Sequence, residues 1–303
     1  MESAPLIAYA QEFGFLRRYF MKKTLKKIIA TTLAATSVLS TAALFAGCES
    51  DRPEIQMQIA FNDETYTLEY TLYRKLAPKT VEHFLALVEG KDGNSYFDGL
   101  CVHNFTTNRW YTGGYSYNEG SLEYKEYYDV VKTYENFPTS VFMLDQETPT
   151  YTVYGEFSKN SFSVQSGALK ESFGSLSMFY TDKDLGESVY VTRNDGEGKT
   201  RKEYVYNSAT SLFYINMSDT DVVNSSYCTF ATLNEESVAV LEDLQDAVSD
   251  YIKDNYDESS DFTTSVTVYA DKDDYVIGDD GQSIKYSVPE KEIKIVSVKV
   301  TKY

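Results

Sequence analysis

Asn207-Ser208-Ala209-Thr210-Ser211-Leu212-Phe213-Tyr214-Ile215 is the stretch on which the reading of the fold turns. Its second half, Ser211 to Ile215, is a compact apolar run bounded by small polar residues, which reads as a buried strand. Working outward, Gly174-Ser175-Leu176-Ser177-Met178 upstream and Cys228 to Leu233 downstream are further short strands. Leu100 to Phe105, Trp110 to Tyr117 and Tyr151 to Phe157 are strand candidates as well. Glu54 to Phe61 alternates polar with apolar residues, Asn62-Asp63-Glu64 makes a turn, and Thr65 to Tyr73 completes a hairpin. Glu292 to Lys302 alternates again and closes the fold as a strand.

Two segments carry helical periodicity. Pro78 suits a first turn, and Val81, Phe84, Leu85 and Val88 line one face from about Lys79 to Glu89, with Gly90 ending the helix. Asn234 is an N-cap for a second helix to about Ile252, with Glu235 and Glu236 in the first turn and Val238, Leu241, Leu244 and Val248 on the apolar face. The chain has 27 Tyr but only six Pro, which favours strands. Many short strands with two amphipathic helices predict a mainly β protein, a closed antiparallel barrel with helices at its ends.

The N-terminal region carries an address. Met21-Lys22-Lys23-Thr24-Leu25-Lys26-Lys27 is a basic n-region, Ile28 to Leu44 an apolar run, and Phe45-Ala46-Gly47-Cys48 a small-residue cleavage site ending in Cys. The pattern resembles a bacterial lipoprotein signal, which implies cleavage before Cys48, acylation of that Cys, and a bacterial, extracytoplasmic, membrane-anchored protein. Residues 1–20 read as a mis-assigned start, 21–47 as the signal, 48–53 as a tether and 54–303 as the folded domain. Beyond residue 47, 22 basic residues face 44 acidic ones, a net charge of −22. That argues against a nucleic-acid partner and electrostatic docking on anionic lipid, and favours solubility or a basic partner; a monomer is expected.

The chemistry-bearing residues are few. Apart from Cys48 the cysteines are Cys101 and Cys228, expected as buried thiols, with a disulfide between them as the alternative. His83 and His103 are the only histidines, and neither lies in a nucleophile motif. No metal or other cofactor is expected. Asp271, Asp273, Asp274, Asp279 and Asp280 lack the ligand spacing of a Ca²⁺ loop and read as a solvated loop.

The order of these elements resembles the cyclophilin-type peptidyl-prolyl isomerases. Leu76-Ala77-Pro78-Lys79-Thr80-Val81-Glu82-His83-Phe84-Leu85-Ala86-Leu87-Val88 is similar to that family's first helix, and Tyr96-Phe97-Asp98-Gly99-Leu100-Cys101-Val102-His103 to its next segment. Gly113-Gly114, Gly174 to Met178, Asn207 to Ile215 and Tyr227-Cys228-Thr229-Phe230 follow in the family's order. The resemblance covers most of residues 54–252 and the last strand, with insertions near 118–172, 181–204 and 255–288. It implies a cyclophilin-like closed barrel of eight strands capped by two helices. It also implies proline-containing polypeptides as partners and electrostatic stabilisation of a twisted Xaa-Pro amide by an arginine, without a cofactor.

The resemblance also locates departures. Asn104 stands at the family's catalytic Arg position, and Thr112 and Leu212 at its two Gln positions. Arg109 replaces a pocket Phe, Trp110 its Met neighbour, and Phe179 the small residue after Met178. His103, Gly113, Gly114, Met178, Phe213, Tyr214 and Phe230 are retained or similar, and Tyr227 falls on the last pocket strand. Weak isomerase activity is therefore expected, with Arg109 as a possible stand-in cation. The alternative is a binding module that grips an extended ligand through Trp110, Tyr111, Phe179 and Tyr214.

Overall fold

The computed structural model describes residues 50–118, 121–162, 168–179, 187–193, 196–204, 208–220, 222–269 and 283–303. The expected export signal with Cys48, Asn207 of the quoted stretch and the Asp271–Asp280 loop lie outside the described residues.

In chain order the strands are β1 (Glu54–Phe61), β2 (Glu64–Leu72), β3 (Asn104–Phe105), β4 (Arg109–Thr112), β5 (Tyr115–Asn118), β6 (Ser121–Tyr124), β7 (Val141–Phe142), β8 (Val153–Tyr154) and β9 (Leu176–Met178). They continue with β10 (Glu187–Thr192), β11 (Lys199–Tyr204), β12 (Ser208–Ala209), β13 (Phe213–Asn216), β14 (Cys228–Leu233), β15 (Thr263–Tyr269), β16 (Ser283–Pro289) and β17 (Lys294–Lys302). The α-helices are α1 (Pro78–Glu89), α2 (Tyr127–Val131) and α3 (Glu235–Asn255). The short α2, in the insertion near 118–172, is a helix the periodicity did not reveal.

Eight strands form the main sheet in the order β17-β1-β2-β14-β9-β13-β4-β3, with antiparallel neighbours. The expected closed barrel is corrected to an open, curled half-barrel. The terminal strand β3 has only two residues, and its ladder ends there. The chain just before it meets β17 through a single bridge, Cys101 to Lys294, with Val102 N–H donating to the Ile293 carbonyl at 2.9 Å.

Local chemistry sets the edges. Asn62 and Asp63, between β1 and β2, take φ of 47° and 65°, the left-handed pair that a tight two-residue hairpin needs. The strand expected over Trp110 to Tyr117 breaks at Gly113, whose φ is +95° and where a Cβ would lie 2.2 Å from the Ser211 carbonyl oxygen. The sheet wraps α1, whose Val81, Phe84 and Leu87 are buried with Leu68, Phe97, Phe213 and Phe230 in one core. Asn234 caps α3, its Oδ1 accepting from Ser237 N–H at 2.8 Å.

The N-terminus of α1 is capped from a distance. Ala77 has no capping side chain, so buried Glu156 accepts from the Lys79 and Thr80 amides at 3.2 and 2.9 Å. Burial raises the Glu156 carboxyl above its usual range, against those hydrogen bonds. Cys101 and Cys228 are free and buried, and burial pushes both thiols up to about 12.

Candidate functional site

The expected site residues separate by the twofold alternation of strands. On β4, Trp110 and Thr112 are buried while Arg109 and Tyr111 are half-buried on the opposite face. Trp110, Met178, Phe213 and Phe230 belong to the main core. Their strands turn these four inward to pack. Thr112 is also inward and donates its hydroxyl to the Cys101 carbonyl at 2.8 Å.

The outward residues form a connected aromatic and polar cluster. Asn104 pairs with Tyr111 across β3 and β4, and Tyr111 pairs with Tyr214 across β4 and β13. Tyr111 meets Phe179 at 5.1 Å and Tyr214 at 5.3 Å, and Tyr227 meets Tyr214 at 5.7 Å. Tyr111, Phe179 and Tyr227 are half-buried, while Tyr214 is buried beneath them.

Arg109 lies among these rings. Its guanidinium carbon is 4.7 Å from the Tyr214 ring centre and 5.7 Å from that of Tyr227. Its Nη2 donates to Glu171 Oε2 at 3.1 Å and Oε1 at 3.3 Å. Glu171 is buried and also accepts from the Tyr214 hydroxyl and from Asn224 Nδ2 at 3.0 Å. Burial works against the Arg109 charge, but Tyr214, Tyr111 and Glu171 outweigh it and keep the group protonated. The cation proposed as a stand-in is thus engaged by a buried carboxylate and two rings.

Glu171 was not among the expected site residues. The signal was present: a charged Arg in an otherwise apolar strand needs a buried counter-charge. Nothing in the sequence says that the carboxylate comes from 62 positions away.

Asn104 is engaged too. Its Oδ1 accepts from the Ser287 amide at 3.0 Å, on β16 of the insertion near 255–288. His103, fully buried, packs its ring 4.8 Å from Tyr286 and 4.7 Å from Tyr115. Neither of its ring nitrogens has a hydrogen-bond partner among the described residues. Leu212 is buried against Phe179 and Ile284.

The histidines set a pH dependence. Burial lowers His103 to about 3 and His83 to about 4, the latter against the Thr210 carbonyl 2.7 Å from its Nε2. Both are therefore neutral when folded, whereas an unfolded His titrates near 6.5. Their contribution is present above about pH 6.5 and is lost as the pH falls toward the folded values. We expect the wild type to lose about 3 kcal/mol more than His103→Phe between about pH 6.5 and pH 4 in urea titrations. Parallel profiles for the two proteins would refute a buried neutral His103.

No curated protein sequence matches the chain. Two of the solved structures to which the chain is similar are the Mimivirus cyclophilin and a Cryptosporidium parvum cyclophilin type peptidyl-prolyl cis-trans isomerase. The first is 17% identical, covering 85% of this chain and 93% of its own, with a TM-score of 0.41. The second is 16% identical, covering 83% and 99%, also with a TM-score of 0.41. The family model for cyclophilin type peptidyl-prolyl cis-trans isomerase/CLD matches residues 56–268, well over half of the sequence. The chain belongs to the cyclophilin type peptidyl-prolyl cis-trans isomerase family.

Proposed function

We propose that this is an exported, membrane-anchored folding helper that handles Xaa-Pro-containing chains with weak isomerase turnover. One observation carries the reading: Asn104, at the position where the resemblance expects a guanidinium, is neutral and spends its carbonyl on the Ser287 amide. A neutral donor stabilises a twisting amide roughly half as well as a charge-assisted one. Arg109 could serve instead only by leaving Glu171, which would strand a buried carboxylate. The side chains at both Gln positions are buried, Thr112 bonded to backbone and Leu212 apolar. A second reading, a binding module without turnover, is supported by the half-buried rings of Tyr111, Phe179 and Tyr227 on one outward face.

The test is the cis-to-trans rate of a proline tetrapeptide with the soluble fragment from Glu49 onward. We expect little acceleration by the wild type and a gain of about tenfold in Asn104→Arg, the difference between a neutral and a charged hydrogen bond. Strong wild-type acceleration that Arg109→Ala abolishes would overturn the proposal.

A further inference from the structure

The insertion near 255–288 contributes a hairpin with a defined seat. β15 and β16 pair in register from Thr263–Pro289 to Tyr269–Ser283. Ile284, Tyr286 and Val288 alternate with exposed Lys285 and Ser287, so the apolar residues of β16 share one face. Tyr286 and Val288 are buried with Cys101 and Tyr115, with Val266 and Val268 of β15 packed alongside. A two-stranded hairpin is marginal by itself, so this face depends on what it covers.

What it covers is the region marked by the family's site positions. Ile284 packs on Leu212, Tyr286 on His103, and the Ser287 amide donates to Asn104. The root is firm. Glu290 N–H donates to the Phe262 carbonyl at 2.8 Å, and buried Phe262 meets Phe105 of β3 at 5.2 Å.

We propose that the β15–β16 hairpin is a built-in occupant of this face, an autoinhibitory flap. An extended proline-containing polypeptide binds there only by displacing Ile284 and Tyr286. The proposal rests on the reading that Asn104 and Leu212 mark the family's catalytic face. It differs from weak turnover because it concerns access, and binding can be read without catalysis.

The experiment uses the full chain in detergent and a fluorescein-labelled Ala-Ala-Pro-Phe tetrapeptide. Hydrogen exchange at Ser287 reports on the flap, and circular dichroism checks that each variant is folded. The wild type should show no saturable binding up to ~1 mM peptide, an affinity of only a few kcal/mol. Ile284→Asp combined with Tyr286→Ala should speed Ser287 exchange and tighten binding at least tenfold, with resonance shifts at Asn104, Leu212 and Phe179. Asn104→Ala removes only the latch and should speed Ser287 exchange by roughly tenfold, the value of one hydrogen bond. This milder variant keeps the flap testable if the double variant does not fold, through a smaller gain in affinity. Wild-type binding at those residues with Ser287 still protected would overturn the flap. So would a folded Ile284→Asp, Tyr286→Ala variant with fast Ser287 exchange and no tighter binding. Fast wild-type turnover would instead defeat the functional reading, and the flap would still be judged by the binding arm.

Discussion

Glu171→Ala is expected to lower the unfolding free energy by about 3 kcal/mol, the lower end of the cost of removing one partner from a buried ion pair. Glu171 is 3% exposed, and its carboxylate is shared by Arg109, Tyr214 and Asn224. Its loss leaves a half-buried guanidinium against two tyrosine rings and a buried Tyr214 hydroxyl with one acceptor fewer. The Arg109 side chain is 27% exposed, so water relieves part of the penalty, which is why the lower end applies. Replacing both charges with Arg109→Met and Glu171→Leu should recover most of the loss, because apolar packing can stand in for a buried pair. Urea unfolding of the single and double variants measures this. A single variant within about 1 kcal/mol of wild type would show that the pair is solvated and the cluster loose.

Phe84→Ala should cost about 4 kcal/mol and lower the melting temperature by roughly 10 °C. Phe84 has no exposed surface and touches Phe97, Phe230 and Phe213 at centroid distances of 4.9, 4.8 and 5.3 Å. These rings come from α1, the segment after it, β14 and β13, so no single element can collapse into the gap. Phe84→Leu keeps much of the volume and should cost about 1.5 kcal/mol. Calorimetry separates the two. Equal losses would mean that ring contacts, rather than the cavity, carry the stability.

Much of this architecture was legible because it is local. The hairpin of β1 and β2 follows from alternation plus Asn62-Asp63, helix α1 from Pro78 and its apolar stripe, and β17 from clean alternation to Lys302. The boundary at Gly113 was not legible, since the break depends on the Ser211 carbonyl approaching from another strand. Nor was the open edge of the sheet, which follows from β3 stopping after two residues. In the candidate site, the alternation of β4 could have separated Arg109 from Trp110. The partners could not be read. Glu171 and Ser287 lie 62 and 183 positions from the residues they bind, both in insertions without periodic signal.

The Glu156 carboxylate at the start of α1 bears on any attempt to pare this protein down. A trimmed variant lacking the segment around Tyr151–Phe157 would retain every strand of the main sheet. It would still uncover the first turn of the helix at the centre of that sheet, where Ala77 offers nothing in exchange. The inserted segment is therefore a keystone rather than an ornament, and shortening it calls for Asp or Ser at position 77 in the same step.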